Sequence, residues 1–517
     1  MSFTRCFRAW QFDAVQDMNE RENAIHHRPA LGIDLLGAPI VGRLLRGRYG
    51  RLALQSVLGL IAFALILDGF TGPQSAARNL ATVGPWVQFR GIAVLVLLLA
   101  GNLFCMGCPF TLPRTLAKRL SLRGRRFPGR LRNKWLAIVG LFLLFSVYEY
   151  LNLWASPWLT AWVIVAYFLA SFVLEAIFTE SAFCKYVCPL GAFNFVYSTV
   201  SPTQIAVKSH DVCATCVGKE CVNGSYAPAP TIRLDQIAVA GAEPAREVAV
   251  EHGPAGTLGC GTELFAPQIR GNMDCTMCLD CVRACPHDNV SLFTRAPGRE
   301  LSRADSWPRR WDLSLLVIAL AFMGVSNAFG MVPPYYDLQA WLALNLGITS
   351  EFVVLLVIFG LSNLLLPVAV ASGAALVGMR LTGAAKRDSL RDTVAAFAPA
   401  FVPIGFGIWF AHYIFHLLTG PGLIVPVIQE FLGAVGDWQS WSFSLDLALI
   451  GIIQSLALVG GFLWSLRLAQ KTALRLYRRR ALPGLLPWAL VFLLMMLAAW
   501  QIFTLPMEMR GTLALFG

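Results

Sequence analysis

Cys275-Thr-Met-Cys278-Leu-Asp-Cys281-Val-Arg-Ala-Cys285-Pro286 sets four cysteines within eleven residues and closes them with a proline. Two residues between thiols let the backbone curl around one corner of a metal–sulfide cube while its amides point at the sulfides. The proline keeps a helix from starting early and turns the last thiol outward. In the spacing C-x2-C-x2-C-x3-C-P, three close thiolates hold one iron–sulfur cube and the fourth reaches a neighbouring one. A zinc ribbon uses two separated Cys pairs instead, so the spacing argues against zinc.

A second, matching set is then expected. Cys213-Ala-Thr-Cys216 followed by Cys221 gives C-x2-C-x4-C, and Cys260 in Leu258-Gly-Cys-Gly is the available fourth. Crossed ligation predicts one [4Fe-4S] cluster on Cys213, Cys216, Cys221 and Cys285, and a second on Cys275, Cys278, Cys281 and Cys260. The upstream set has a wider third gap, and Cys260 lies far downstream with no proline after it. Ser225–Gly259 therefore reads as an insertion inside a bacterial-ferredoxin-like α+β module. The alternative is that Cys260 is a free buried thiol and one cluster lacks a ligand.

Outward from this module the chain changes character. Of its 517 residues 56% are hydrophobic and only 14% charged, where a soluble domain carries about a quarter charged residues. Apolar runs of spanning length predict an all-α polytopic membrane protein with about nine transmembrane helices. These are Leu52–Phe70, Gly91–Phe104 (extending back to Trp86), Trp135–Trp154, Leu159–Phe178, Trp311–Gly330, Phe352–Leu376, Val394–Leu418, Phe443–Leu466 and Leu485–Thr504. The net charge of +12 sits in short clusters beside these runs and forms no separate basic domain, which excludes nucleic acid as a partner. Lys and Arg crowd the links after the second, sixth and eighth runs, among them Arg114, Lys118, Arg119 and Arg123. The opposite links hold almost none, Arg78 and Arg90 among the few. The positive-inside rule predicts a bacterial inner-membrane protein with its N-terminus and Cys-rich insert in the cytoplasm and its C-terminus outside. No cleavable signal is visible in 1–48, so the first run is expected to be an uncleaved anchor. The expected division is a cytoplasmic segment 1–51, a four-helix membrane domain 52–200, the two-cluster domain 201–307 and a five-helix domain 308–517. A reduced cytoplasmic insert makes structural disulfides the wrong reading of its eight cysteines.

Twelve of the thirteen cysteines lie between Cys105 and Cys285; Cys6 is the exception. Four of the twelve fall at predicted helix ends. Cys105-Met-Gly-Cys108-Pro109 closes the second helix, and Phe183-Cys184-Lys-Tyr-Val-Cys188-Pro189-Leu-Gly191 follows the fourth. Each proline is expected to end its helix just after the second thiol. Both pairs should emerge beside the insert, as a third iron–sulfur or metal centre, as redox-active pairs, or as unligated thiols in a turn.

The Phe-Cys-x3-Cys-Pro-Leu-Gly element followed by a C-x2-C-x2-C-x3-C-P module resembles the NapH/NosR/CcoG group of membrane polyferredoxins, over roughly Leu52 to Trp311. The resemblance implies electron transfer between quinols or cytoplasmic donors and periplasmic reductases within a complex of redox partner proteins, or copper reduction during oxidase assembly. This chain departs from the group in the two-residue gap of Cys105–Cys108, in lacking a flavin-bearing periplasmic domain and in its extra C-terminal helices.

Those helices hold His412 and His416, which share a face at i and i+4, while Met507 and Met509 follow the last helix on the same outer side. Imidazole and thioether together suit copper or haem iron; the alternative is that the histidines bond helix backbones or line a quinone pocket. Glu175, beside the Cys184 pair, is a candidate proton acceptor at a quinone site, or a structural hydrogen-bonding group; Glu149 and Asp446 are further acids expected inside the membrane. The leading function is a redox subunit. A self-contained metal reductase and a transporter with a regulatory iron–sulfur domain are the rivals. No P-loop, GxSxG or HExxH element supports hydrolysis.

Overall fold

A computed structural model describes residues 32–47, 49–112, 125–225, 257–303 and 307–506. Cys6, Arg114, Lys118, Arg119, Arg123, most of the Ser225–Gly259 insertion, Met507 and Met509 lie outside the described residues.

The protein is mostly helical, with seven helical runs long and apolar enough to cross a membrane and one small two-stranded sheet among the described residues. In lipid every backbone N–H and C=O must be satisfied within the segment, and an apolar helix is the form that does so. The runs are Gly50–Thr71, Leu80–Ala100, Pro157–Ile177, Trp311–Phe329, Glu351–Thr382, Leu390–Thr419 and Leu447–Thr504; Trp135–Tyr150 is a shorter apolar helix. Two of them form the centre of the bundle. The apolar windows of Trp311–Phe329 and Leu390–Thr419 are 78% and 83% buried within the protein, against 22–39% for the other five. The outer helices leave Leu, Val and Trp side chains exposed along their flanks, as lipid-facing surfaces do.

Several expected boundaries change. The Leu447–Thr504 run is two α-helices, Leu447–Tyr477 and Ala481–Thr504, separated by a short turn at Arg478–Arg480. Arg478 takes a left-handed backbone (φ 49°), and the halves pack against each other. Asp446 is an exposed N-cap, accepting hydrogen bonds from Ala448 N and Leu449 N, rather than an intramembrane acid. Arg90 belongs inside the Leu80–Ala100 run, not to a link. Its guanidinium lies over the rings of Trp86, Tyr148 and Tyr413 at 4.9, 5.5 and 5.2 Å, and ring faces are favourable partners for a cation held among apolar helices. The second run does not continue to Cys105 either. It stops at Gly101, whose φ of +75° disfavours any side chain, and a Cβ there would lie within 3 Å of Met277, Ser201 and Thr203.

The insert folds around β1 (Thr203–Val207) and β2 (Val290–Thr294), antiparallel with Thr203 opposite Thr294 and Val207 opposite Val290. The pairing brings the two ends of the insert together. Gly32 and Asp34 add to the β2 side through Gly32 N to Thr294 O (2.9 Å) and a bridge between Asp34 and Phe293. Two strands alone are marginal, and the core under them is shared. Ile205, Val207, Val290 and Leu292 pack with Leu36 from the N-terminal segment and with Met106 from the membrane side. Arg295 and Glu300, both 1% exposed, pair at 2.8 Å beneath the sheet, and Glu300 accepts the backbone N–H of Asn272.

Candidate functional site

The short elements flanking the sheet carry thiols. Ser209 caps His210–Thr215, which holds Cys213; Cys216 ends that helix in extended backbone. Left-handed Lys219 then turns the chain into Glu220–Asn223, which holds Cys221. From the other side, Cys285 ends the Asp280–Ala284 helix just before β2. Because β1 and β2 are paired, these elements face each other, and Cys213, Cys216, Cys221 and Cys285 line one pocket with Phe265 and Pro286. Asn289 donates from Nδ2 to Cys213 Sγ (3.1 Å) and from its backbone N to Cys285 Sγ (3.4 Å). Burial pushes the Cys221 thiol up to about 11, with Cys285, Cys213 and Cys216 adding to the rise. We call this group the distal cage.

The proximal cage gathers Cys260, Cys275, Cys278 and Cys281. Left-handed backbone at Asp274, Met277 and Leu279 coils the loop around its thiols. Non-glycine residues rarely accept that conformation, and such turns direct successive amides into one concavity suited to anionic sulfur. Cys260 arrives from the far side of the insertion because the insertion's ends are clipped together. Ser225 and Thr257 exchange two backbone hydrogen bonds (2.8 and 3.1 Å), and Cys260 N donates to Cys221 O (3.0 Å). Burial raises Cys275, and next to burial the charge of Cys260 raises it most; the same holds for Cys281. Cys278 is pushed to about 11 by burial and by Asp280, against the pull of Arg51. Cys275, Cys278 and Cys281, so enclosed, cannot all ionise without a compensating cation.

A third group lies at the membrane edge. Cys105 is on the short helix Leu103–Gly107, and Cys108 precedes Pro109 of a single turn. Cys184 sits in the turn Phe183–Val187, and Cys188 caps Pro189–Tyr197, its Sγ accepting Gly191 N at 3.2 Å. Each Cys-Pro pair therefore ends one helical segment, with Cys108 and Cys188 as C-caps, and its proline begins the next. A proline at the first helical position gives up an N–H that has no partner there, and its fixed φ suits the helix. The four thiols lie in one electrostatic neighbourhood: burial raises Cys184, followed by Glu175, Cys188, Cys108 and Cys105. Asn194 donates to Cys105 Sγ (3.4 Å), joining the two pairs.

Polar clamps fix the proximal cage to this edge. Asn102, three residues before Cys105, donates to Cys275 O at 2.9 Å. Lys134 pairs with Asp274 and donates to Lys185 O (2.9 Å), while Lys185 donates to Thr262 O (2.6 Å). Arg51, at the start of the first spanning helix, pairs with Asp280 at 2.8 Å. Twelve thiols therefore fall into three fours ordered distal, proximal, edge. Among the described residues no three His, Cys, Asp or Glu side chains converge on one metal-ion position. Sequence reasoning missed Asn102, Lys134, Arg51 and Asn289, since a lone polar residue carries no spacing signal.

Glu175 is buried (1% exposed) in Pro157–Ile177 and acts on Cys184. His412 and His416 are buried in Phe401–Thr419 with ring centroids 5.1 Å apart. The thioether beside His412 is that of Met331, 3.0 Å from Nε2. Met331 stands in the turn after Trp311–Phe329 and went unnoticed in the sequence because it lies 81 residues from His412.

The chain is 27% identical over 203 residues to the methylamine utilization ferredoxin-type protein MauN of Paracoccus denitrificans, a match covering 35% of this chain and 67% of that protein. No protein-family model matches the chain, and no solved structure matches it. A distant homologue of this chain is thus a ferredoxin-type protein.

Proposed function

We propose that the chain is a membrane-embedded iron–sulfur electron carrier, and the observation that carries this is the alignment of three four-thiol groups from the open face of the insert to the membrane edge. The distal cage (Cys213, Cys216, Cys221, Cys285) and the proximal cage (Cys275, Cys278, Cys281, Cys260) would each hold a [4Fe-4S] cluster. The donor set fits that group. A single zinc ion requires its ligands to converge on one point about 2.3 Å from each sulfur, whereas a cube gives each thiolate its own corner iron, and these thiols do not converge. Bound there, a cube supplies a one-electron couple whose potential depends on burial and on hydrogen bonds to sulfur. The chain's own contributions are the N–H groups of Asn289 and Leu264 on Cys213, Cys285 and Cys260, and the clamps that hold the cages at fixed spacing. Cys105, Cys108, Cys184 and Cys188 would form a third iron–sulfur or metal centre.

Counting the two halves of Leu447–Thr504 separately and adding Trp135–Tyr150 supports nine crossings in a bacterial inner membrane. Basic residues on the insert side support a cytoplasmic insert and N-terminus and an outer C-terminus, and the division at 51, 200 and 307 follows. Glu175, buried near Cys184, would accept one of the two protons that a quinol releases on two-electron oxidation at this edge, the other leaving to water. The ferredoxin-type relative supports the class of chemistry and leaves the redox partner proteins open. The test is anaerobic purification of the full chain with iron and sulfide analysis and EPR before and after reduction. Two interacting cubes are expected from the insert, and a further signal lost equally in Cys105→Ser and Cys184→Ser. Protein free of acid-labile sulfide after anaerobic reconstitution would overturn the reading.

A further inference from the structure

We propose that His412, His416 and Met331 form a binding site for monovalent copper, buried in the half of the helical bundle remote from the insert. Trp311–Phe329 starts just after the insert and runs away from it for 19 residues, about 28 Å at 1.5 Å per residue. Met331 follows at its far end against His412, and the Leu390–Thr419 run sets the His416 ring 5.1 Å from that of His412. His412 is 0%, Met331 2% and His416 4% exposed.

The ligand chemistry selects the ion. Imidazole and thioether are neutral, and soft sulfur with nitrogen favours copper among the first-row metals. Among the described residues no carboxylate or thiolate completes a cluster of three with them. A divalent ion would therefore keep both charges in a medium that penalises each, while a monovalent ion carries one. The thioether sulfur 3.0 Å from Nε2 sets a soft donor beside the imidazole nitrogen, the pair that an ion between them would bind. With ligand distances of about 2.0–2.1 Å for nitrogen and 2.3 Å for sulfur, that separation corresponds to an angle near 90°, and opening it by about 0.5 Å gives a tetrahedral corner. The site is also connected. Phe193, in the helix that Cys188 caps, packs on Trp409 (5.3 Å), Trp409 on Tyr413 (5.0 Å) and Tyr413 on His412 (5.2 Å), a column of rings from that helix to the histidines.

The experiment uses the full chain, purified anaerobically in detergent with its thiol cages loaded, and titrates Cu(I) against a chromophoric Cu(I) chelator. Wild type should hold one equivalent more than His412→Gln. Met331→Leu, which nearly conserves volume, should weaken that equivalent at least ten-fold with the iron content unchanged. X-ray absorption of the extra copper should show nitrogen and a single sulfur neighbour. Equal copper content and affinity in wild type and both variants, or an all-sulfur copper shell, would overturn the site. Met331→Leu alone decides the matter if His412→Gln does not fold. Copper bound normally by protein that cannot be loaded with iron and sulfide would instead count against the electron-carrier reading and leave this site standing.

Discussion

The two cages of the insert are built from the same spacing logic yet differ in what surrounds them. Around the distal cage, Ala214, Thr215, Val217, Lys219 and His287 are exposed, Val217 at 77%. Around the proximal cage, no residue from Gly271 to Pro286 is exposed. One cage opens to solvent and the other is enclosed between the sheet and the ends of the first two spanning helices. The difference teaches that position, rather than ligand type, divides the labour. On the proposed reading, the open cage would meet a redox partner, and the enclosed one would exchange electrons with the centres on either side. Cys275 and Cys281 share one core with Cys221 of the distal cage, but only the proximal loop is clamped by Asn102, Lys134 and Arg51, so its loss should reach further.

That asymmetry can be broken most severely at Cys281. Cys281→Ala should remove the proximal cube and undock the insert, because a small metal-stapled domain draws on the order of 10 kcal/mol from its metal. Cys213→Ala should remove the distal cube and leave the insert docked. Iron content and protease sensitivity of the two variants check this, and equal sensitivity would erase the distinction.

Next in size is Arg295→Met. It leaves Glu300 buried and unpaired beneath the sheet, and breaking one side of such a pair costs about 3–5 kcal/mol. Burial already raises the Glu300 carboxyl, with Arg295 opposing it. The variant should therefore lose less stability at low pH, where Glu300 is protonated, than at neutral pH. Denaturation midpoints at two pH values give the answer.

Gly101→Ala tests the junction with less force. Its backbone region is close to glycine-only, a penalty of roughly 1–3 kcal/mol, and the added methyl would press on Met277, Ser201 and Thr203. The proximal signal should broaden or be lost on mild heating before the distal one does. The reverse order would mean the junction does not support the proximal cage.

Asn289→Ala sharpens the comparison from the distal side. Removing the 3.1 Å hydrogen bond to Cys213 takes a donor from a sulfur that is more negative in the reduced state, so the distal potential should fall. The proximal potential should stay fixed. Potentiometry followed by EPR separates the two, and a shared shift would show that the cages are not independently tuned.

Legibility followed distance along the chain. The apolar runs were readable because lipid makes nearly every residue of a span apolar, and Cys275–Pro286 was readable because its ligands lie within one turn of each other. Boundaries set by a single backbone angle were not. Gly101 ends a run that the hydropathy pattern carries on to Phe104, and the eighth helix continues past the expected Leu466 to Tyr477, where left-handed Arg478 turns the chain back within the expected basic link. The two Cys-Pro pairs were legible as helix ends, but not as the starts of new turns, since proline's stiffness stops the helix before it and equally suits the first position of the next.

By itself the sequence determined the class of the chain, a polytopic helical protein with a cysteine-rich insert, because composition and local spacing act over a few residues. Tertiary structure alone decided how the insert is seated. The β1–β2 register sets the two Cys-bearing helices face to face, the Ser225–Thr257 clip returns Cys260 to the loop at Cys275, and Asn102, Lys134 and Arg51 lock that loop to the membrane edge. Tertiary structure also brought Met331 to His412 across 81 residues. Contacts of this kind depend on how whole helices and strands pack, and no periodicity in the chain encodes them.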